Sequence, residues 1–196
     1  AYAKKHPHSM GAWSSDSRTH VSTMNGGDFR STEQSLTLDA PADVRIEHVA
    51  ADGAVTVLKA STPLLAGEVI DGSVMRKAAL NEFFAVQIAE AKEQGILYSM
   101  HLKATMMKVS DPIIFGHGVS AFVGAELFAK YDASPNDGLG SLLAEHPEAK
   151  GEVDAALAAG PDVYMVDSDK GVTNLHVPSD VIIDASMPAL IRASGQ

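Results

Sequence analysis

Met100-His-Leu-Lys-Ala-Thr-Met-Met-Lys-Val-Ser-Asp-Pro-Ile-Ile-Phe-Gly-His117 is the stretch on which the reading of this chain turns. The apolar run over residues 96–102 reads as a short buried strand that ends beside Lys103. Asp111 with Pro112 then starts a helix, because proline at the first helical position loses no donor that the helix needs. Strand, loop and helix in succession are the unit of α/β proteins. Active-site groups in such proteins sit where the C-terminal end of a strand feeds a loop.

Upstream of this stretch, Leu80, Phe84, Ile88 and Ala91 recur at helical spacing, and Gly95 is a plausible stop. Ile70-Asp-Gly-Ser73 offers N-cap candidates for that helix. Residues 44–49 and 55–58 alternate as strands do, and Asp52-Gly53 supplies hairpin turn chemistry. Residues 1–43 are a polar, irregular lead-in with Trp13 as its single large anchor. Downstream, the helix from Asp111 runs towards Tyr131, with Phe115, Val119, Phe122 and Leu127 roughly on one side. Gly116, Gly118 and Gly124 weaken it, so packing has to help hold it. Residues 132–140 read as a loop and 147–159 as another helix, stopped by Gly160 and Pro161. Short strands follow over 163–166 and 181–183, with a further helix from Pro188. The pattern is α/β, a mixed sheet flanked by helices, read as a single unit over residues 1–196.

Bulk composition sets limits on function. The chain has 196 residues, 45% hydrophobic and 20% charged, an ordinary globular mix. A formal net charge of −10 argues against nucleic acid or an anionic membrane as the main partner, because phosphate binding needs a basic face. An anionic metabolite remains compatible, since a few local cations or a metal override the global sign. There is no cysteine, which excludes disulfides and thiolate metal sites and fits a cytoplasmic protein. No apolar run approaches the roughly 18 residues of a membrane span, and the first ten residues lack a signal peptide's apolar middle. The Ala1 start and the stop after a strongly patterned segment read as a piece of a longer polypeptide.

Two residues carry candidate chemistry. Lys103, at the end of a buried strand, is open to a desolvation-lowered pKa suited to proton transfer; the alternative is a lysine snorkelling out of the core. Asp184 places a carboxylate at the mouth of the 181–183 strand, a position from which divalent cations are held; the alternative is a helix cap. Asp180 reads as structural. Lys170, Asn174, His176 and Ser179 form a polar cluster on the approach to Asp184, equally suited to lining a crevice or satisfying a loop. The histidines show no metal-protease spacing, and His6 and His8 straddle a proline in polar sequence. No Gly-x-Gly-x-x-Gly and no phosphate loop occurs, so no residue is assigned to cofactor binding.

The 100–117 stretch resembles the monomeric, NADP-dependent isocitrate dehydrogenases. Three more stretches share the resemblance, in the family's order: Ala3-Lys-Lys-His-Pro-His-Ser-Met-Gly-Ala-Trp13, Ala66-Gly-Glu-Val-Ile-Asp-Gly-Ser-Val-Met75, and residues 166–192 with Val181-Ile-Ile-Asp-Ala-Ser-Met-Pro188. The resemblance implies that the chain corresponds to the first half of the family's large domain. It implies an oxidoreductase converting isocitrate to 2-oxoglutarate with NADP and Mg²⁺ or Mn²⁺, in the tricarboxylic acid cycle and glyoxylate bypass. Lys103 would meet the substrate's hydroxyl-bearing carbon for proton transfer during oxidation and enol formation, and Asp184 would be a metal ligand. The family's Ser-Asn-Val-Asn-Pro and Asn-Ser-Asp-Arg-Arg region is expected before Ala1. Its tyrosine partner, a further arginine, the remaining metal aspartates and the NADP-binding residues are expected after Gln196. Around residues 132–142 the chain looks shorter than the family pattern. An isolated chain is therefore expected to be inactive. The alternative class is a non-catalytic binding or assembly module derived from that domain, which self-associates through an exposed apolar face.

Overall fold

The computed structural model describes residues 2–5, 14–18, 20–96, 98, 100, 107 and 109–161. Its elements in chain order are α1 (Tyr2–Lys5), α2 (Phe29–Thr32), β1 (Gln34–Thr37), β2 (Ala42–Val49), β3 (Val55–Leu64), β4 (Val69–Gly72), α3 (Lys77–Gln94), α4 (Ser110–Val123), α5 (Ala125–Lys130), α6 (Gly138–Glu145) and α7 (Lys150–Ala159). Helices and small sheets are both present, as the α/β reading expects. The expected strands over 163–166 and 181–183 and the helix from Pro188 lie outside the described residues. Packing divides the chain into two compact units, Met24–Ala79 and Ala1–Thr23 with Leu80–Gln196.

The 24–79 unit is built from two antiparallel ribbons. β2 pairs β3 as the expected hairpin, with Val49 opposite Val55 and Ala42 opposite Leu64. Gly53 takes φ 86°, and Asp52 accepts from the Ala54 N–H at 3.0 Å, which is the turn chemistry read from Asp52-Gly53. Two register shifts fall between Val44 and Glu47 and kink the ribbon. β1 pairs β4 with Gln34 opposite Gly72. That pairing corrects two readings: 70–72 is strand rather than helix cap, and 29–37 is ordered rather than irregular. The cause is local. Asp28 accepts from the Ser31 N–H at 2.9 Å while the Ser31 hydroxyl accepts from the Asp28 N–H at 3.1 Å, a capping box that folds the single turn of α2 before β1. Thr32 then donates to the Val74 carbonyl at 2.7 Å and accepts from its N–H at 2.9 Å, tying α2 to the end of β4.

The other unit is helical among its described residues. On α3, Leu80, Phe84 and Ala91 are buried, and Gly95 at φ 61° ends the helix as read from the sequence. Arg18, His20 and Ser22, though not in regular elements, lie against α3. Arg18 donates to the Gln94 carbonyl, His20 lies 3.9 Å from Glu90, and Ser22 donates to Gln87.

A core forms where α4 to α7 converge, from Val119, Val123, Leu127, Phe128, Leu139, Leu142, Ala149 and Val153. Phe128, Leu139, Leu142 and Val153 are fully buried, each contributing about 1.5–3 kcal/mol of transfer free energy. The single helix expected from Asp111 to Tyr131 is broken at Gly124. Its φ of 101° belongs to glycine, and it ends α4 and caps α5, with the Leu127 N–H donating to the Gly124 carbonyl at 3.1 Å. The expected loop at 132–140 holds a 3₁₀ turn, Pro135–Asp137, and the start of α6. Lys130 spans from α5 to α7, donating to both oxygens of Glu152 at 2.7 and 2.8 Å, and the Tyr131 hydroxyl adds a bond to the same carboxylate at 2.8 Å.

Candidate active site

Lys103 and Asp184 both lie outside the described residues, as do Lys170, Asn174, His176, Ser179, Asp180, His6 and His8. What the structure does describe is the framework on either side of Lys103. Before it, Tyr98 packs its ring against Phe122 of α4, with centroids 6.3 Å apart. Met100 lies over Gly118 of the same helix: a β-carbon on residue 118 would stand 2.5 Å from the Met100 methyl and 2.8 Å from its sulfur. After it, the Met107 carbonyl accepts from the Asp111 N–H at 3.1 Å.

That last bond revises the helix start. α4 begins at Ser110 with Val109 before it and no side-chain cap, so Pro112 is third in the helix rather than first. The cost is nil, because none of the first four N–H groups has an intrahelical acceptor.

α4 carries three buried polar side chains, Asp111, His117 and Ser120, at 6%, 7% and 4% exposure. The sequence reading used Asp111 only as a helix start and did not single out His117 or Ser120. Periodicity alone does not separate them from solvated positions; their burial follows from how closely α4 is covered. Tyr98 is half-buried, and desolvation pushes its hydroxyl up to about 12. On the other side of Lys103, Met107 and Val109 are exposed, at 43% and 75%.

Among the described residues no group of three or more histidine, aspartate or glutamate side chains could hold a metal ion. In the 24–79 unit an open groove of about 580 Å³ runs along β1 and β4, and Asp71 is its one ionisable lining residue. No helix among the described residues is long and apolar enough to cross a membrane.

Helices and small antiparallel sheets together make the described residues a mixed α/β structure, with Tyr98 and Met100 packed against α4. The family model described as monomeric isocitrate dehydrogenase matches residues 1–196, and the chain belongs to that family. It is 54% identical over 209 aligned residues to the isocitrate dehydrogenase [NADP] of Azotobacter vinelandii, with all of this chain and 28% of that protein covered. It is 52% identical to isocitrate dehydrogenase [NADP] 2 of Colwellia maris, covering 99% of this chain and 28% of the relative. It is 46% identical to isocitrate dehydrogenase [NADP] 2 of Mycobacterium tuberculosis, again over 28% of the relative's length. The chain thus spans a little over a quarter of these relatives.

Proposed function

We propose that this chain is a segment of a cytoplasmic NADP-dependent isocitrate dehydrogenase, corresponding to the first half of its large domain. The observation that carries this is the family match across all 196 residues, with relatives of that printed name at 46–54% identity. Lys103 moves the proton at the hydroxyl-bearing carbon of isocitrate and at the enol that follows. Asp184 is one ligand of a Mg²⁺ or Mn²⁺ ion, which supplies Lewis acidity when bound.

The chain alone falls short of that chemistry. Isocitrate carries three carboxylates and needs several cations in fixed positions. One carboxylate makes a weak site for a hard divalent ion, which prefers about six oxygens, and the described residues add no cluster to it. The remaining metal ligands, the arginines and the NADP contacts come from the rest of the parent polypeptide, and the isolated chain is inactive.

The test is NADPH formation from isocitrate, NADP and Mg²⁺. Silence from the chain alone, turnover from the full-length polypeptide that contains it, and loss of turnover in Lys103→Ala and Asp184→Ala support the reading. Turnover by the chain alone would sink it.

One observation favours a second reading, a non-catalytic module that self-associates. The β2–β3 hairpin leaves Ile46, Val49, Val55, Val57 and Leu58 more than half exposed. Sedimentation of the isolated chain as a monomer at high concentration would count against it.

A further inference from the structure

The 24–79 unit has strands but no core. None of its residues is buried. Nine of the thirteen large hydrophobics that stand exposed among the described residues belong to it. A two-stranded ribbon by itself is marginally stable at best in water. The unit holds two such ribbons, and no strand of one pairs with a strand of the other.

The pattern of β2–β3 says what kind of surface would cover it. Val49 stands opposite Val55, and Val57 lies two residues further along on the same face. Ile46 is three residues from Val49 and so belongs to the other face. The register shift between Ile46 and Glu47 does not disturb this, because the extra residue, Leu58, is on β3. All four side chains are more than half exposed. A hairpin docked by one face alone alternates apolar in and polar out; this one is apolar on both. Among the described residues the outer edges of β2 and β3 are unpaired as well.

We propose that both faces of the β2–β3 ribbon are enclosed by a part of the parent polypeptide beyond these 196 residues. That part presents apolar side chains to each face and runs a strand along one open edge. Covalent linkage favours this occupant. The chain covers 28% of the Azotobacter vinelandii relative, so most of such a polypeptide lies outside it. A tethered segment meets its site at an effective concentration of about millimolar. A second copy has to reach that level in solution, and pairing face to face across a two-fold axis leaves the opposite apolar face wet. The proposal rests on the reading of this chain as a segment of a longer polypeptide, and not on Lys103 or Asp184.

The experiment is amide hydrogen exchange over residues 42–64, resolved by mass spectrometry, in the full-length polypeptide and in the 196-residue chain. In an open two-stranded ribbon every second amide of each strand points outward and exchanges freely. In the full-length polypeptide the outward amides of one strand should exchange as slowly as the inward ones. In the 196-residue chain they should exchange at free-peptide rates. Ile46→Asp and Val57→Asp, one on each face, should each abolish that protection in the full-length polypeptide while the amides of Phe128 and Leu142 stay protected. If a variant fails to fold, the unsubstituted polypeptide decides.

Freely exchanging outward amides in the full-length polypeptide would overturn the proposal. So would protection already present in the 196-residue chain, which would place the cover within it. Protection that fades on dilution as a dimer dissociates would make a second copy the occupant, and loss in only one variant would leave one face uncovered. The readout needs no turnover. If the full-length polypeptide fails to oxidise isocitrate, the functional reading falls and the exchange pattern still decides the enclosure.

Discussion

Gly116 lies against the carbonyl of Pro135, so close that a β-carbon on residue 116 would run into the carbonyl oxygen and stand 3.0 Å from the carbonyl carbon. The obstacle is backbone, which cannot swing aside as a side-chain tip does. Gly116 is buried, and through this contact α4 is seated on the 3₁₀ turn Pro135–Asp137.

Gly116→Ala should therefore destabilise the chain. Overpacking of this kind costs about 1–3 kcal/mol, against about 1 kcal/mol gained in helix propensity. A net loss of about 1–2 kcal/mol is expected in urea unfolding followed by circular dichroism. The matched change Gly151→Ala, where nothing stands in the way, should be neutral or slightly stabilising. Equal stability of the two variants would show that the Pro135 turn yields freely.

Leu142, 1% exposed on α6, sits in the core with Leu139, Phe128 and Val153. Leu142→Ala is expected to cost about 2–5 kcal/mol, the usual sum of lost transfer energy and residual cavity. A midpoint shift corresponding to less than about 1 kcal/mol would mean that the four helices collapse around the gap.

The α5–α7 link should show itself as a pH window. The bonds from Lys130 and Tyr131 hold the Glu152 carboxyl below its ordinary range. Glu152's contribution is thus present above its unfolded pKa and lost as pH falls through the folded value. Lys130 is raised, chiefly by its bond to Glu152, and so is Tyr131. Their contributions are present below their unfolded values and lost as pH rises through the folded ones. The Tm difference between the parent and Glu152→Gln should be widest near neutral pH and narrow at both extremes. It should shrink with added salt too, because the groups face solvent. A difference independent of pH and salt would assign the effect to packing instead.

Tyr98 gives a spectroscopic check on how dry its own surroundings are. With its hydroxyl pushed up to about 12 by desolvation, the neutral form is favoured in the folded state. That contribution is complete below about pH 10, the ordinary tyrosine value, and is lost as pH rises towards 12. An ultraviolet titration should show a late phenolate step that Tyr98→Phe removes. Ionisation of Tyr98 at the ordinary tyrosine value would place it in contact with water.

How much of this was legible in the sequence depended on whether the cause was local. The turn at Asp52-Gly53 and the stop at Gly95 were readable because the residue itself dictates the backbone, and both adopt positive φ. The face of α3 followed from Leu80, Phe84 and Ala91 at helical spacing. The β1–β4 pairing was not readable, since it joins residues more than thirty apart and its four-residue strands carry little alternation. The break at Gly124 was read as a weakness in one helix because propensity alone does not tell a tolerated glycine from a left-handed one. At the candidate site, motif resemblance singled out Lys103 and Asp184. The close approach of Met100 to Gly118 was not readable, because nothing about a glycine in a helix announces what lies across from it.

The same glycines bear on the order in which the chain acquires structure. α4 has fourteen residues, two of them interior glycines, a length at which isolated helices are marginal even for good formers. It cannot persist until its neighbours arrive, and Pro135, Leu139 and Leu142 all follow it in sequence. On a ribosome adding about 5–20 residues per second, Gly116 waits about one to four seconds for Pro135 to be made. During that interval α4 lacks the helices it packs on, which makes it a site where a chaperone or a protease would find the nascent chain.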